Sequence, residues 1–180
     1  MCGFANYYPE LLAGLIIIDP ADFTETHQNK RLYYDVLGWE KAKVDSLIEI
    51  FIERRRISRD QSPGPIKREG QVLAQLREDE FREIHEKPLP NIPVHILVGG
   101  RFDMPAKFHS EEYDEEALFR SKIKHRLWRW TEVVQSVDQG MIFYSADAGH
   151  YVHWDDPALL IASVQIVLQD YEMLRQEAKE

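Results

Sequence analysis

The sequence has one cysteine and no apolar run long enough to cross a membrane. A single cysteine excludes a disulfide within the chain, so nothing indicates an oxidising compartment. The apolar run from Leu15 to Ile18 has the length of a buried strand, and no run approaches the roughly 20 residues of a membrane-spanning helix. No basic segment precedes an apolar stretch near Met1, so we expect no signal peptide. These features predict a cytoplasmic protein that does not contact a membrane.

Positive charge is also scarce. The 22 Lys and Arg residues against 31 Asp and Glu residues give a net charge of −9, and binding to a nucleic-acid backbone depends on clustered cations. Two basic stretches, 54–59 and 122–129, lie on predicted helices and are interpreted as solvated helix faces. We therefore predict no nucleic-acid partner.

The sequence offers no cofactor or metal site either. Gly99-Gly100 is too short for a phosphate-binding loop. His109 has no second ligand at helical spacing. We predict neither a cofactor nor a metal.

Three apolar segments carry the fold prediction. Residues 15–18 show no polar alternation, which is typical of a parallel strand covered on both faces. We predict an α/β fold with about three parallel strands, near 14–19, 93–99 and 140–146, flanked by helices.

Helical periodicity fills most of the remaining sequence. Val44, Leu47, Ile48 and Phe51 form one apolar stripe in the charged region 24–87, and the segment 58–70 is interpreted as a break between helices. A second helix is predicted over 119–137, where Trp128 and Trp130 are interpreted as core residues rather than as the lining of a pocket. Asp156-Pro157 is typical of the start of a final helix. Its sheet-facing stripe is predicted to be Leu160, Val164, Val167, Tyr171 and Leu174.

Two residues with catalytic chemistry follow predicted strands. Asp103 comes after the strand near 93–99, and His150 comes after the strand near 140–146. Because parallel strands end at the same edge of a sheet, these side chains are expected to lie side by side. A carboxylate that accepts the proton of one imidazole nitrogen leaves the other nitrogen free to act as a base.

The segments YYPELLAGLIIIDP, PVHILVGGRFD and AGHYVHWDDP resemble, in this order, three signatures of the α/β-hydrolase superfamily. The resemblance implies that they carry the sixth, seventh and eighth strands, with Asp103 as the triad acid and His150 as the catalytic base. It also implies a partial hydrolase core over 1–23 and 88–180 and a helical cap over 24–87. Some family members take the acid from the loop after the sixth strand, so Asp19 and Asp22 are rivals to Asp103.

The family's nucleophile motif, G-x-S-x-G, does not occur in the 180 residues. Cys2 lacks the flanking pattern and is interpreted as a small helix residue, and Ser145 is interpreted as a strand residue whose hydroxyl is hydrogen-bonded. Alignment on Tyr8-Pro9-Glu10 places the nucleophile upstream of Met1. The chain is therefore expected to be the C-terminal part of a hydrolase and to be inactive alone.

The expected function is that of a serine-type ester or acyl hydrolase acting on a small-molecule substrate. An aspartate nucleophile, as in epoxide hydrolases and haloalkane dehalogenases, stays open because the nucleophile is not in the sequence. A non-catalytic binding module is the other alternative. In the family's strand order the sixth strand lies between two others, so self-association through an exposed edge at residues 15–18 is also expected.

Overall fold

The computed structural model describes residues 2–20, 27–78 and 89–177. The strands are β1 (Leu15–Ile18), β2 (Val94–Gly99) and β3 (Gly140–Ser145). The helices are α1 (Cys2–Tyr7), α2 (His27–Tyr34), α3 (Lys41–Gln61), α4 (Gly64–Glu78), α5 (Glu115–Val134), α6 (Val152–Asp155) and α7 (Pro157–Glu177), with short 3-10 turns at Pro9–Leu11, Asp35–Leu37 and Ala106–Phe108. None of the helices in these ranges is both long and apolar enough to span a bilayer. Asp22 lies outside the described residues.

The three strands form one parallel sheet in the order β1-β2-β3. Leu15 pairs with Val94 at the start of β1, and Gly99 pairs with Ser145 at the end of β3. The predicted strands and their parallel arrangement are confirmed, with bounds that differ from the prediction by a residue or so. The hydrolase family and a cap are not established by this topology, which many proteins share.

Burial on both faces explains why β2 lacks polar alternation. Every residue of β2 is buried, and Leu97 packs with Ala148 and Val152 in a cluster that Ile16 and Ile18 join. A parallel sheet hides both faces under its connecting helices, so continuous runs of branched residues suit it.

The chain forms two compact units. One comprises Met1–Ala21, Glu83–His109 and Ile123–Glu180 and contains the sheet, and the other comprises Asp22–Arg82 and Ser110–Lys122. The segment 110–122, which the sequence prediction left with the sheet, therefore groups with the helices. The assignment of the two units to a hydrolase core and a cap stays a prediction.

The helical unit has its own core. Tyr33 and Tyr34 of α2 pack with Val44 and Ile48 of α3 and with Leu118. The stripe predicted from residues 44–51 is thus confirmed as the buried face of α3.

The break between α3 and α4 is shorter than the prediction of 58–70. Helix α3 continues to Gln61 and α4 begins at Gly64. Pro65 lies in the first turn of α4, where the missing N–H has no partner within the helix to lose, so this proline does not prevent helix formation.

The last helix starts as predicted, but the residues of α7 that face the core differ in part from the predicted stripe. Asp156 accepts a hydrogen bond from the Leu159 N–H at 3.1 Å, so it caps α7 as expected. Val167 is buried, but Val164 is 40% exposed, and the other buried residues of α7 are Ser163 and Asp170. The predicted stripe was therefore partly wrong.

A buried histidine explains why Ser163 of α7 faces the core. His95 of β2 is fully buried, and its Nδ1 lies 2.8 Å from the Ser163 hydroxyl oxygen. Because an unpaired buried imidazole is costly, a polar helix face opposite His95 is favoured over an entirely apolar one. Burial lowers the pKa of His95, while the nearby Asp170 carboxylate acts in the opposite direction.

His95 predicts how stability depends on pH. Its pKa is lower in the folded than in the unfolded state, so the unfolded chain binds more protons once the pH falls below about 6.5. Above that pH, His95 should not affect the free energy of unfolding. Below that pH, the free energy of unfolding should decrease by at most about 1.4 kcal/mol per pH unit. Urea unfolding between pH 7.5 and 5 should show a steeper loss for the wild type than for H95Q. Equal slopes for wild type and H95Q would contradict the prediction.

Strand β1 pairs only with β2 among the described strands, so its other edge is open. The N–H groups of Leu15 and Asp19 donate to β2, at 2.8 Å to Pro93 and 2.7 Å to Leu97. Because backbone direction alternates along a strand, the Ile16 N–H faces the open edge.

This edge predicts association that increases with concentration, because unpaired strand backbone is a template for another strand. Light scattering on a dilution series should show particles larger than one chain. I16P removes an edge donor without removing a β1–β2 hydrogen bond and should reduce association, whereas I16V keeps the donor and should not. Monodisperse single chains at high concentration would rule out association through this edge.

Candidate functional site

The carboxyl ends of all three strands lie at one edge of the sheet. Asp19 follows β1, Arg101 and Asp103 follow β2, and His150 follows β3. All four belong to the sheet-containing unit. The parallel topology therefore gathers two acids, a guanidinium and an imidazole in one place, as expected for such sheets.

Asp19 is held in a constrained position at the end of β1. Its φ of 39° is a left-handed conformation that few residues other than glycine adopt, although Asp is among those that tolerate it. Its side chain is only 10% exposed, and Oδ1 lies 3.3 Å from a guanidinium nitrogen of Arg126. Arg126 also donates to the Pro20 carbonyl. The near-buried carboxylate thus has a cationic partner on one side.

The other oxygen of this carboxylate meets the predicted base. His150 Nδ1 lies 2.6 Å from Asp19 Oδ2. An ionised carboxylate only accepts hydrogen bonds, so opposite an ionised Asp19 the proton of a neutral ring would lie on Nδ1 and Nε2 would keep its lone pair. The imidazole is 68% exposed, and Nε2 has no partner within the described part of the chain. His150 thus has the contact and the exposure that a general base oriented by a carboxylate requires.

The hydrogen bond predicted between Asp103 and His150 is not found among the described residues. Asp103 Oδ1 instead accepts from Arg101 Nε at 2.7 Å, and the carboxylate is more than half exposed. Asp103 Oδ2 nevertheless lies close to the backbone of Gly149. The acid that contacts His150 is Asp19, the rival that follows the first strand, whereas Asp103 is paired with Arg101.

The loop that carries His150 is packed tightly against the end of β2. The Gly100 N–H donates to the Ser145 carbonyl and the Arg101 N–H donates to the Ala148 carbonyl, both at 2.9 Å. A Cβ on Gly99 would collide with the carbonyl oxygen of Gly149, and a Cβ on Gly149 would lie 2.5 Å from Asp103 Oδ2. The close approach therefore requires glycine at position 99, where a Cβ would meet backbone, whereas a Cβ at position 149 would meet only the ends of side chains.

Arg101 and Asp155 add charge to this contact. Arg101 Nη1 donates to the Asp147 carbonyl at 2.6 Å, and Nη2 lies 3.1 Å from Asp155 Oδ2. The same Asp155 oxygen accepts the Gly149 N–H at 2.8 Å. This backbone N–H and the Arg101 guanidinium hold the pKa of Asp155 below its usual value. The hydrogen bond that Arg101 donates to Asp103 raises the pKa of Arg101, so both Arg101 and Asp155 stay charged at neutral pH.

The aromatic ring of Tyr151 lies next to His150, and Trp154 stacks on that ring. The rings of Tyr151 and Trp154 stack with centroids 4.8 Å apart, and the His150 ring lies 5.1 Å from that of Tyr151. Trp154 is 73% exposed. An imidazole next to stacked rings has an apolar neighbour against which a ligand could pack.

Comparisons with models of known families, with curated proteins and with solved structures find no match. Any statement of function therefore rests on the geometry of the site. Within residues 2–20, 27–78 and 89–177, no group of three His, Cys, Asp or Glu side chains is placed to hold a metal ion.

Of the two nucleophiles weighed from the sequence, Ser145 is engaged with another residue than His150. The Ser145 hydroxyl donates to Asp156 Oδ2 at 3.0 Å, which confirms its interpretation as a hydrogen-bonded strand residue. The side chain of Cys2 lies outside the described residues.

Two arginines of the site were missed from the sequence. The stretch 122–129 was interpreted as a solvated face, but the Arg126 side chain is only 16% exposed and contacts Asp19. Arg126 lies three residues after Ile123 and four before Trp130, both buried, so helical spacing was a signal of its position that the basic character of the stretch outweighed. For Arg101 the signal was present, because an arginine between a glycine pair and an acid can bridge the two adjacent loops.

The glycine at position 99 predicts a sharp difference between two substitutions. G99A should lower the free energy of unfolding by about 1–3 kcal/mol, because the new methyl group meets backbone that cannot move without shifting the His150 loop. G64A adds the same atoms where nothing lies within 4 Å and should change stability by no more than about 0.5 kcal/mol. Urea unfolding of both variants checks this. Similar values for the two would show that the loop does not press on β2.

Proposed function

We propose that this chain carries the acid and base of a hydrolase catalytic triad of the α/β-hydrolase type, acting on an ester or another acyl compound of low molecular weight. His150 takes the proton of the nucleophile and later returns it to the leaving group. Asp19 accepts a hydrogen bond from Nδ1–H, which keeps the ring in the reactive tautomer, and the proton stays on Nδ1.

One observation carries the proposal. A near-buried carboxylate contacts Nδ1 of an exposed histidine at 2.6 Å, at the edge where parallel strands end. A histidine that merely stabilised the loop would not need its second nitrogen free toward solvent. The constrained backbone of Asp19 also supports a functional role, because unusual backbone conformations concentrate at sites of function.

The proposal requires a nucleophile from outside the sequence analysed, because the nucleophile motif is not among the 180 residues. The catalytic unit would then be the whole open reading frame that contains this chain. Upstream coding sequence with G-x-S-x-G supports a serine hydrolase, and G-x-D-x-G supports the relatives with an aspartate nucleophile. Neither motif in frame would favour a non-catalytic module and overturn the proposal.

The kinetic test uses that full reading frame with p-nitrophenyl acyl esters as probes. H150A should lower kcat by about 10⁴-fold or more, because the base is lost. D19N should lower kcat by about 10⁴-fold, because an amide no longer favours the tautomer with the proton on Nδ1. D103N should lose much less activity than D19N.

Matched surface variants control for general effects. H109Q changes an exposed histidine, and D138N changes an exposed acid that binds Asn91 before β2. Both should retain wild-type kcat and KM. A larger loss in D103N than in D19N would return the acid role to Asp103, and full activity of H150A would refute the catalytic proposal as a whole.

A further inference from the structure

Arg101 connects three separate segments near His150. Its guanidinium contacts Asp103 on its own loop, the Asp147 carbonyl on the loop after β3, and Asp155 on α6. All three nitrogens of the guanidinium are used, each toward a different group. A planar guanidinium presents its donors in a rigid fork, so such a set of contacts fixes geometry as well as charge.

The contacts converge on the segment that precedes His150. Asp155 receives both the Arg101 guanidinium and the Gly149 N–H on a single oxygen. The Arg101 backbone N–H binds the Ala148 carbonyl. Residues 147–149 are therefore tied to Arg101 directly and through Asp155, immediately before the imidazole.

We propose that Arg101 is a positioning residue that fixes the loop 147–149 on the end of β2 and thereby holds His150 Nδ1 against Asp19. Arg101 does not contact the imidazole itself, and it acts through the loop backbone. The effect on loop geometry does not require catalysis, whereas the effect on turnover rests on the proposed function.

Asp103 gains a role in this arrangement. It is the counter-ion of Arg101, at 2.7 Å, rather than the partner of His150. With Asp155 on the other side, the guanidinium has two carboxylates and one carbonyl, so its charge is compensated where it crosses between the loops.

Nuclear magnetic resonance of the chain tests the loop directly. In R101Q, the Gly149 amide should exchange with solvent at least about tenfold faster. The reason is that Asp155, which accepts the Gly149 N–H, loses its hydrogen bond from the Arg101 guanidinium. The ¹⁵N shifts of His150 should move from those of the Nδ1–H tautomer toward a mixture of tautomers. R101K keeps the charge but not the fork, so its Gly149 exchange should also be faster than in the wild type.

The matched control is R56Q. Arg56 also contacts two carboxylates, those of Glu53 and Asp60, but it does so on an exposed face of α3. R56Q should leave Gly149 exchange and the His150 shifts unchanged. Amides of β2 report whether R101Q still folds; if it does not, R101K carries the test.

Wild-type Gly149 exchange and His150 shifts in the folded Arg101 variant would overturn the inference. In the full reading frame, R101Q should lower kcat more than it raises KM, because base orientation matters in the transition state. If H150A shows that the reading frame is not a hydrolase, the exchange and shift measurements still decide whether Arg101 positions the loop.

Discussion

The site depends on one crossing of the chain. His150 follows β3 and Asp19 follows β1, yet β2 lies between these strands. Adjacent strands are about 4.8 Å apart, so the loop after β3 must span roughly two such spacings over the end of β2. It can do so only because Gly99 has no side chain where the Gly149 carbonyl passes. The absence of a side chain at Gly99 thus allows His150, after β3, to contact Asp19, after β1, although these two strands are not neighbours.

This crossing also explains where prediction from sequence succeeded and where it did not. Strand positions, the parallel topology and the cap at Asp156 follow from local patterns, and all are found in the structure. The contact of His150 with Asp19 did not follow, because the expected contact was argued from neighbouring strands alone. Three carboxylates lie near the loop, those of Asp19, Asp103 and Asp155, and their assignment depends on where Arg101 and Arg126 point. Side-chain pairing of this kind has no periodicity to detect.

The same reasoning applies to the last helix. Apolar spacing in α7 predicted a stripe that included Val164, but the helix turns Ser163 toward His95 instead. The histidine is a single polar residue in an otherwise apolar strand, and its position on β2 could have been read from the sequence. What could not be read is which helix supplies the partner, because that depends on the packing of α7 on the sheet. A buried polar pair thus overrides the apolar period.

The acid that contacts His150 stands at the end of β1, an outer strand among those described. Outer strands open locally at lower free energy than central ones, because half of their backbone groups have no partner strand. When the short β1 separates from β2, Asp19 leaves with it and the imidazole loses its orientation, although the loop of His150 is still tied to β2. The orientation of the His150 imidazole therefore depends on the pairing of the four residues of β1 with β2. A strand that paired with the other edge of β1 would stabilise this orientation.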